Sequence, residues 1–138
     1  MTAKEYLSQA AVLDSEINRK IDRLGDLEAL VTKTTSVLRT MPGGSRDDRT
    51  FENRMEKYLM LRDEVNADID RLIDLKREIQ SVIDRLDSED ERTVLEEHFL
   101  RGKKYEEIAA EKGYHWNSVY RVCHRGLKKI ENFIKSVE

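Results

Sequence analysis

The chain has 138 residues, with 25 Lys and Arg against 28 Asp and Glu for a net charge of −3, one Cys, one Pro and six Gly. Charged residues reach 38%, against about 25% in an ordinary globular domain, which excludes loop-rich and collagen-like chains and points to exposed helix. No apolar run approaches the roughly 18–20 residues of a membrane span, Met1-Thr2-Ala3-Lys4-Glu5 lacks the apolar core of a signal peptide, and one cysteine forms no internal disulfide, so a cytoplasmic chain that engages no membrane is expected.

Thr2 and Glu5 have the spacing of a capping box, in which a hydroxyl and a carboxylate satisfy free backbone donors at a helix start. Apolar residues then recur at Tyr6, Ala10, Leu13, Ile17, Ile21, Leu24, Leu27, Val31 and Leu38, in steps mostly of three and four. One face of a long helix is therefore apolar. In heptad terms Ala10, Ile17, Leu24, Val31 and Leu38 share one position, and Leu13, Lys20, Leu27 and Thr34 share the other. The pattern breaks at Met41-Pro42-Gly43-Gly44-Ser45, which stops a helix and permits a reversal. Asp47, Asp48 and Thr50 offer caps for a second helix. Its stripe runs through Phe51, Met55, Tyr58, Val65, Ile69, Leu72, Ile79, Ile83 and Leu86, interrupted by Arg62 and Lys76.

Residues 5–40 and 51–86 match in length, each about 54 Å at 1.5 Å per residue. Equal amphipathic helices around a short loop read as a long antiparallel helical hairpin, a coiled coil over residues 1–87. Two helices bury little surface, and Leu61, Ile73, Leu75 and Val82 are left over. Another copy of the chain, most simply making a dimer, is expected to cover them; packing on the C-terminal region is the alternative.

Residues 88–138 read as a separate domain of three helices. Ser88 and Glu91 form a second capping box ahead of a helix over about 89–100, which Gly102 ends. A short helix over about 105–111 ends at Gly113, and a last helix runs from about 116 to 137. The charge is uneven: residues 1–100 carry a net −7 and residues 101–138 a net +4, the pattern of a C-terminal piece that meets a polyanion. Ile108 and Ala109 are placed to pack against Val119 and Val122 across a tight glycine turn, the physical content of a helix-turn-helix. Trp116, Asn117, Tyr120, Arg121 and His124 then share an outward face. Such a face can lie in a DNA major groove, where Asn suits adenine and Arg suits guanine.

The stretch from about 86 to 134 resembles region 4 of the bacterial sigma-factor family. The strings that carry the likeness are Asp90-Glu91-Arg92-Thr93-Val94-Leu95, Glu106-Glu107-Ile108-Ala109 with Gly113, Ser118-Val119, and His124-Arg125-Gly126-Leu127-Lys128-Lys129-Ile130. The whole chain, including the Met-Pro-Gly-Gly loop, resembles small phage and prophage proteins of Gram-positive hosts, among them ArpU-type late-transcription regulators. The resemblance implies an all-α chain, a helical hairpin followed by a three-helix sigma region-4-like domain. It also implies a sequence-specific regulator of transcription on double-stranded DNA in the bacterial cytoplasm, with RNA polymerase as a further partner. The recognition helix would span about 116–129. The candidate DNA-contacting residues are Lys103, Lys104, Trp116, Asn117, Ser118, Tyr120, Arg121, His124, Arg125, Lys128 and Lys129. Lys104 and His115 stand where the family usually has a Ser or Thr cap, and Trp116 stands where it often has a charged base reader. The family's base preference therefore does not transfer. The first 88 residues lack the aromatic and basic melting face of sigma region 2, so a complete sigma factor that opens promoters is not expected.

Several residues also have plainer readings. Trp116 could anchor the turn from inside, Lys103 and Lys104 could be solvated, and Arg125, Lys128 and Lys129 could serve the helix dipole. Cys123 is placed as a small core residue. One Cys and three His lack metal-ligand spacing, nothing pairs a nucleophile with a base, and no cofactor or enzyme activity is expected. Two other functions fit the same pattern: a small terminase-like DNA-packaging protein, and a coiled-coil adaptor that does not bind DNA.

Overall fold

The computed structural model describes the backbone of residues 1–40 and 48–137 and the side chains of 1–36 and 49–136. Among these residues every regular element is helical: α1 (Ala3–Thr40), α2 (Asp48–Ile83), α3 (Glu89–Leu95), α4 (Tyr105–Lys112) and α5 (Trp116–Val137), with a π-helical turn at Glu96–Leu100 continuing α3. The fold class is all-α, as the periodicity predicts. The 41–45 turn, the cap candidates Asp47 and Asp48, and the seam position Leu38 lie outside the described residues and side chains. Thr50 sits inside the first turn of α2, not ahead of it.

At the start of α1 both arms of the capping box are made. The Thr2 N–H donates to Glu5 Oε2 at 3.4 Å, and the Glu5 N–H donates to Thr2 Oγ1 at 3.2 Å. Each otherwise orphaned donor thereby gains a partner.

The chain falls into two compact units, one of Asp14–Arg71 and one of Met1–Leu13 with Leu72–Glu138. In the first, the facing segments of α1 and α2 run antiparallel. Lys20 pairs with Glu64 and Asp68, and Arg54 donates to the hydroxyl of Thr34. Lys20 and Thr34 are the two heptad positions of α1 that break the apolar stripe. Each meets a polar partner on α2, which fixes the register of the seam. Asp68 is only 6% exposed, and Ile17, Leu61 and Val65 of the same unit are buried. Leu61, expected from the sequence to need an outside partner, is buried here, whereas Ile73, expected to need the same, is half-exposed.

The Lys20 ammonium lies 2.6 Å from Asp68 Oδ2 and 2.8 Å from Glu64 Oε1. Hydrogen bonding to Asp68, then to Glu64, raises the Lys20 pKa. The same bond from Lys20 holds the Asp68 carboxyl below the usual carboxylate value. A carboxyl depressed in the folded chain contributes stability that is complete above its unfolded value and is lost as pH falls through its folded value. The raised Lys20 behaves oppositely: its share is complete below its unfolded value and is lost as pH rises through its folded value. Thermal melting should therefore show a plateau between roughly pH 5 and 9, with a fall on the acid side below about pH 4. Asp68→Asn should lower the plateau and shrink the acid fall; an unchanged acid limb would show that the pair contributes nothing.

In the second unit, Ala3, Leu7, Ala10 and Leu13 of α1 and Leu72, Ile79 and Ile83 of α2 are buried, as is Leu86 just beyond. Leu95, Ile108, Val119 and Ile130 supply fully buried side chains from α3, α4 and α5. Both α3 and α4 pack on α5. The Arg85 guanidinium lies over the Phe133 ring, 4.4 Å from its centroid.

The crossing of α3 on α5 is close. A Cβ at Gly126 would stand 2.8 Å from Leu95 Cδ1 and 3.5 Å from Glu91 Cβ. Leu95 is fully buried in a close-packed interior. Gly126→Ala should therefore destabilise despite its better helix propensity. Overpacking of about 1–3 kcal/mol exceeds a propensity gain of about 1 kcal/mol. Urea unfolding measures the net loss, and a stabilised variant would mean that the two helices part without cost.

The helix expected over 89–100 is α-helical only to Leu95. The Arg101 N–H reaches back to the Glu96 carbonyl at 3.2 Å, and the Lys103 N–H to that of Glu97 at 3.0 Å. These longer reaches widen the last turn before Gly102, whose φ of 71° ends it. The second capping box is also half made. Ser88 Oγ accepts from the Glu91 N–H, but the Glu91 carboxylate turns away to Lys129.

Candidate nucleic-acid interface

The α4–α5 pair is built around Gly113. Its φ of 73° lies in the left-handed region, where a side chain costs about 1–2 kcal/mol, and the Tyr114 N–H closes the turn on the Ala109 carbonyl at 2.9 Å. The start of α5 is then capped by an unusual residue. His115 Nδ1 accepts from the Asn117 N–H at 3.3 Å, and the His115 carbonyl accepts from Ser118 at 2.9 Å. An imidazole thus does at the head of α5 what Ser or Thr commonly does. Lys104, at the head of α4, makes no side-chain cap.

Helical periodicity divides α5 sharply. Val119, Val122, Cys123, Gly126 and Ile130 are buried. At about 100° per residue, the line opposite them carries Asn117, Arg121, His124 and Lys128, with Arg125 beside it. All five are exposed. Trp116 and Tyr120 lie on one flank, 51% and 45% exposed. Ser118 and Lys129 lie on the other. The reading of Trp116 as a buried anchor does not describe it; its ring faces solvent, with the His115 ring 6.2 Å away and tilted 25°. Among the described residues, no ion pair engages Lys104, Arg121, Arg125 or Lys128. Three side-chain cations of one helix face therefore point outward without internal neutralisation.

The other two candidate lysines are placed differently. Lys129 Nζ donates to both carboxylate oxygens of Glu91 at 3.0 Å, and the Glu91 residue is 2% exposed. Lys103 lies 2.7 Å from Glu97 and 2.8 Å from Glu111. Hydrogen bonding to Glu111 and then Glu97 raises the Lys103 pKa, and the Lys103 ammonium holds the Glu97 carboxyl below its usual value. Lys129 ties α5 to α3, and Lys103 ties the π-helical turn to α4.

Sequence reasoning passed over an aromatic row beside the face. His98 stacks on Tyr105, with centroids 4.3 Å apart and planes 16° apart. Tyr105 meets Tyr120 edge-on at 5.9 Å, and Tyr120 stacks on His124 at 5.1 Å. The Tyr105 hydroxyl lies 3.5 Å from the sulfur of the buried Cys123. Burial, then the Cys123 contact, raises the Tyr105 pKa well above that of a free phenol, and burial pushes the Cys123 thiol up. Tyr105 opens α4 and Tyr120 lies one turn into α5; only the folded turn brings them together.

Comparison of the chain with protein-family models, curated proteins and solved structures gave no match. Among the described residues no helix is long and apolar enough to cross a membrane.

Proposed function

We propose that this chain is a sequence-specific DNA-binding regulator of transcription, with the 116–129 part of α5 seated in the major groove. The observation that carries the reading is the outward line of Asn117, Arg121, His124 and Lys128, exposed on a helix whose opposite face is fully buried. Asn117 and Arg121 lie in the first turns, where a recognition helix meets base edges. Their side chains suit adenine and guanine respectively. Arg125, Lys128 and Lys104 would add phosphate contacts; Lys103 and Lys129 would not, because carboxylates already hold them.

One short helix gives a modest interface. The antiparallel α1–α2 hairpin is therefore read as the device that joins copies of the chain, so that two α5 helices address two half-sites. Leu30 on α1 and Met60 on α2, both exposed within the Asp14–Arg71 unit, are apolar positions a second copy could cover.

The test is selection of a duplex from a random pool on the full-length chain, followed by anisotropy titration at two salt concentrations. A recoverable consensus, bound far more tightly than a scrambled duplex and weakened steeply by salt, is the expected result. Binding equally weak for every duplex would sink the reading. Light scattering on the same sample tests the dimer.

A further inference from the structure

We propose that Tyr105 is a positioning residue for the outward face of α5, holding Tyr120, and His124 through it, in one side-chain arrangement. Its consequence for DNA rests on the duplex-binding reading above; its geometry does not. Tyr105 is anchored on two sides. Its ring lies flat on His98, and its hydroxyl reaches the buried Cys123 sulfur. His98 is itself fixed, donating from Nδ1 to the Lys103 carbonyl at 2.8 Å and meeting the buried Phe99 edge-on. A continuous series of contacts thus runs from the core through His98 and Tyr105 to the half-exposed Tyr120.

An exposed aromatic on a helix ordinarily exchanges between two χ1 wells. Tyr120 meets both the Tyr105 ring and the His124 ring, at 84° and 24° to its plane. The helix backbone does not supply this arrangement, since both neighbours are side chains and one belongs to α4. A held Tyr120 presents its hydroxyl at a fixed place on the flank of α5, and the stacked His124 ring at a fixed place on the outward line beside it. Tyr105 carries no charge, so its effect falls on discrimination between duplexes and leaves the phosphate contribution alone.

The test compares the wild-type chain with Tyr105→Phe, Tyr105→Leu and His98→Leu. Two readouts are taken: the NMR shifts of the Tyr120 ring protons without DNA, and anisotropy titrations with the selected and a scrambled duplex across a salt series. Tyr105→Phe keeps the ring and should preserve both readouts. Tyr105→Leu should average the Tyr120 ring signals and reduce discrimination roughly three- to tenfold, the range of one aromatic pair, at an unchanged salt slope. His98→Leu should act in the same direction, and it decides the matter if Tyr105→Leu does not fold. Tyr120 shifts that stay put in the folded variants overturn the proposal. A wild-type chain that fails to discriminate between duplexes overturns the DNA reading, while the ring shifts still judge the positioning role.

Discussion

Lys129→Met is expected to unfold the C-terminal helices more readily without altering how salt weakens DNA binding. In sequence Lys129 belongs to a basic run with Arg125 and Lys128 and reads as a phosphate contact. In the fold it is the sole ion-pair partner of Glu91 among the described residues. Removing the lysine leaves a carboxylate that is 2% exposed without its counter-charge. Removing one partner of a buried pair costs several kcal/mol, far more than the pair itself contributes. The Lys129 side chain is 49% exposed, so water reaches part of the site, and the low end of that range, about 3 kcal/mol, is expected. For a chain of this size that is a fall in melting temperature of roughly 10 °C.

The double variant separates this from loss of a helix-surface cation. Glu91→Leu with Lys129→Met replaces the pair by apolar groups, which is commonly neutral or better. It should melt near the wild type, well above Lys129→Met alone. Lys129→Arg should keep most of the stability, since a guanidinium can also bridge both oxygens. If Lys129→Met melts like the wild type but binds DNA more weakly with a shallower salt dependence, the pair is incidental and Lys129 is a phosphate contact after all.

The contrast shows where sequence reading reaches and where it stops. The split of α5 into Val119, Val122, Cys123 and Ile130 on one side and Asn117, Arg121 and His124 on the other follows from a period of 3.6, a local property. Gly113 was equally legible, because a left-handed turn between two amphipathic stretches favours glycine. The role of Lys129 was not, since a surface cation looks the same in sequence whether its partner is a phosphate or a buried carboxylate 38 residues away. The same holds for Lys20 and Thr34, which read as flaws in a heptad until Asp68 and Arg54 are seen opposite them. The aromatic row needs positions 98, 105, 120 and 124 from three elements to converge, and no spacing rule announces it. His115 stood at the cap position, and the one available signal was that an imidazole nitrogen can accept a hydrogen bond as a serine oxygen does.

Arg121→Ala and Lys128→Ala should fail in different ways, and the difference tests the proposed docking. Both residues lie on the exposed line of α5, and neither has an ion-pair partner among the described residues. Truncating either should leave the melting temperature near that of the wild type, because surface changes away from special features stay within about 0.5 kcal/mol. Arg121 lies in the first turns, where base edges are within reach. Its loss should cut discrimination between the selected and scrambled duplexes by about 10- to 100-fold, the scale of one bidentate guanine contact. Lys128 lies two turns further on, where the helix leaves the bases and runs along the backbone. Its loss should weaken all duplexes alike and lower the slope of log K against log salt by about one. Discrimination that survives Arg121→Ala and disappears with Lys128→Ala would mean that α5 enters the groove by its other end. If both variants bind as the wild type does, the outward face of α5 is not where this protein meets DNA.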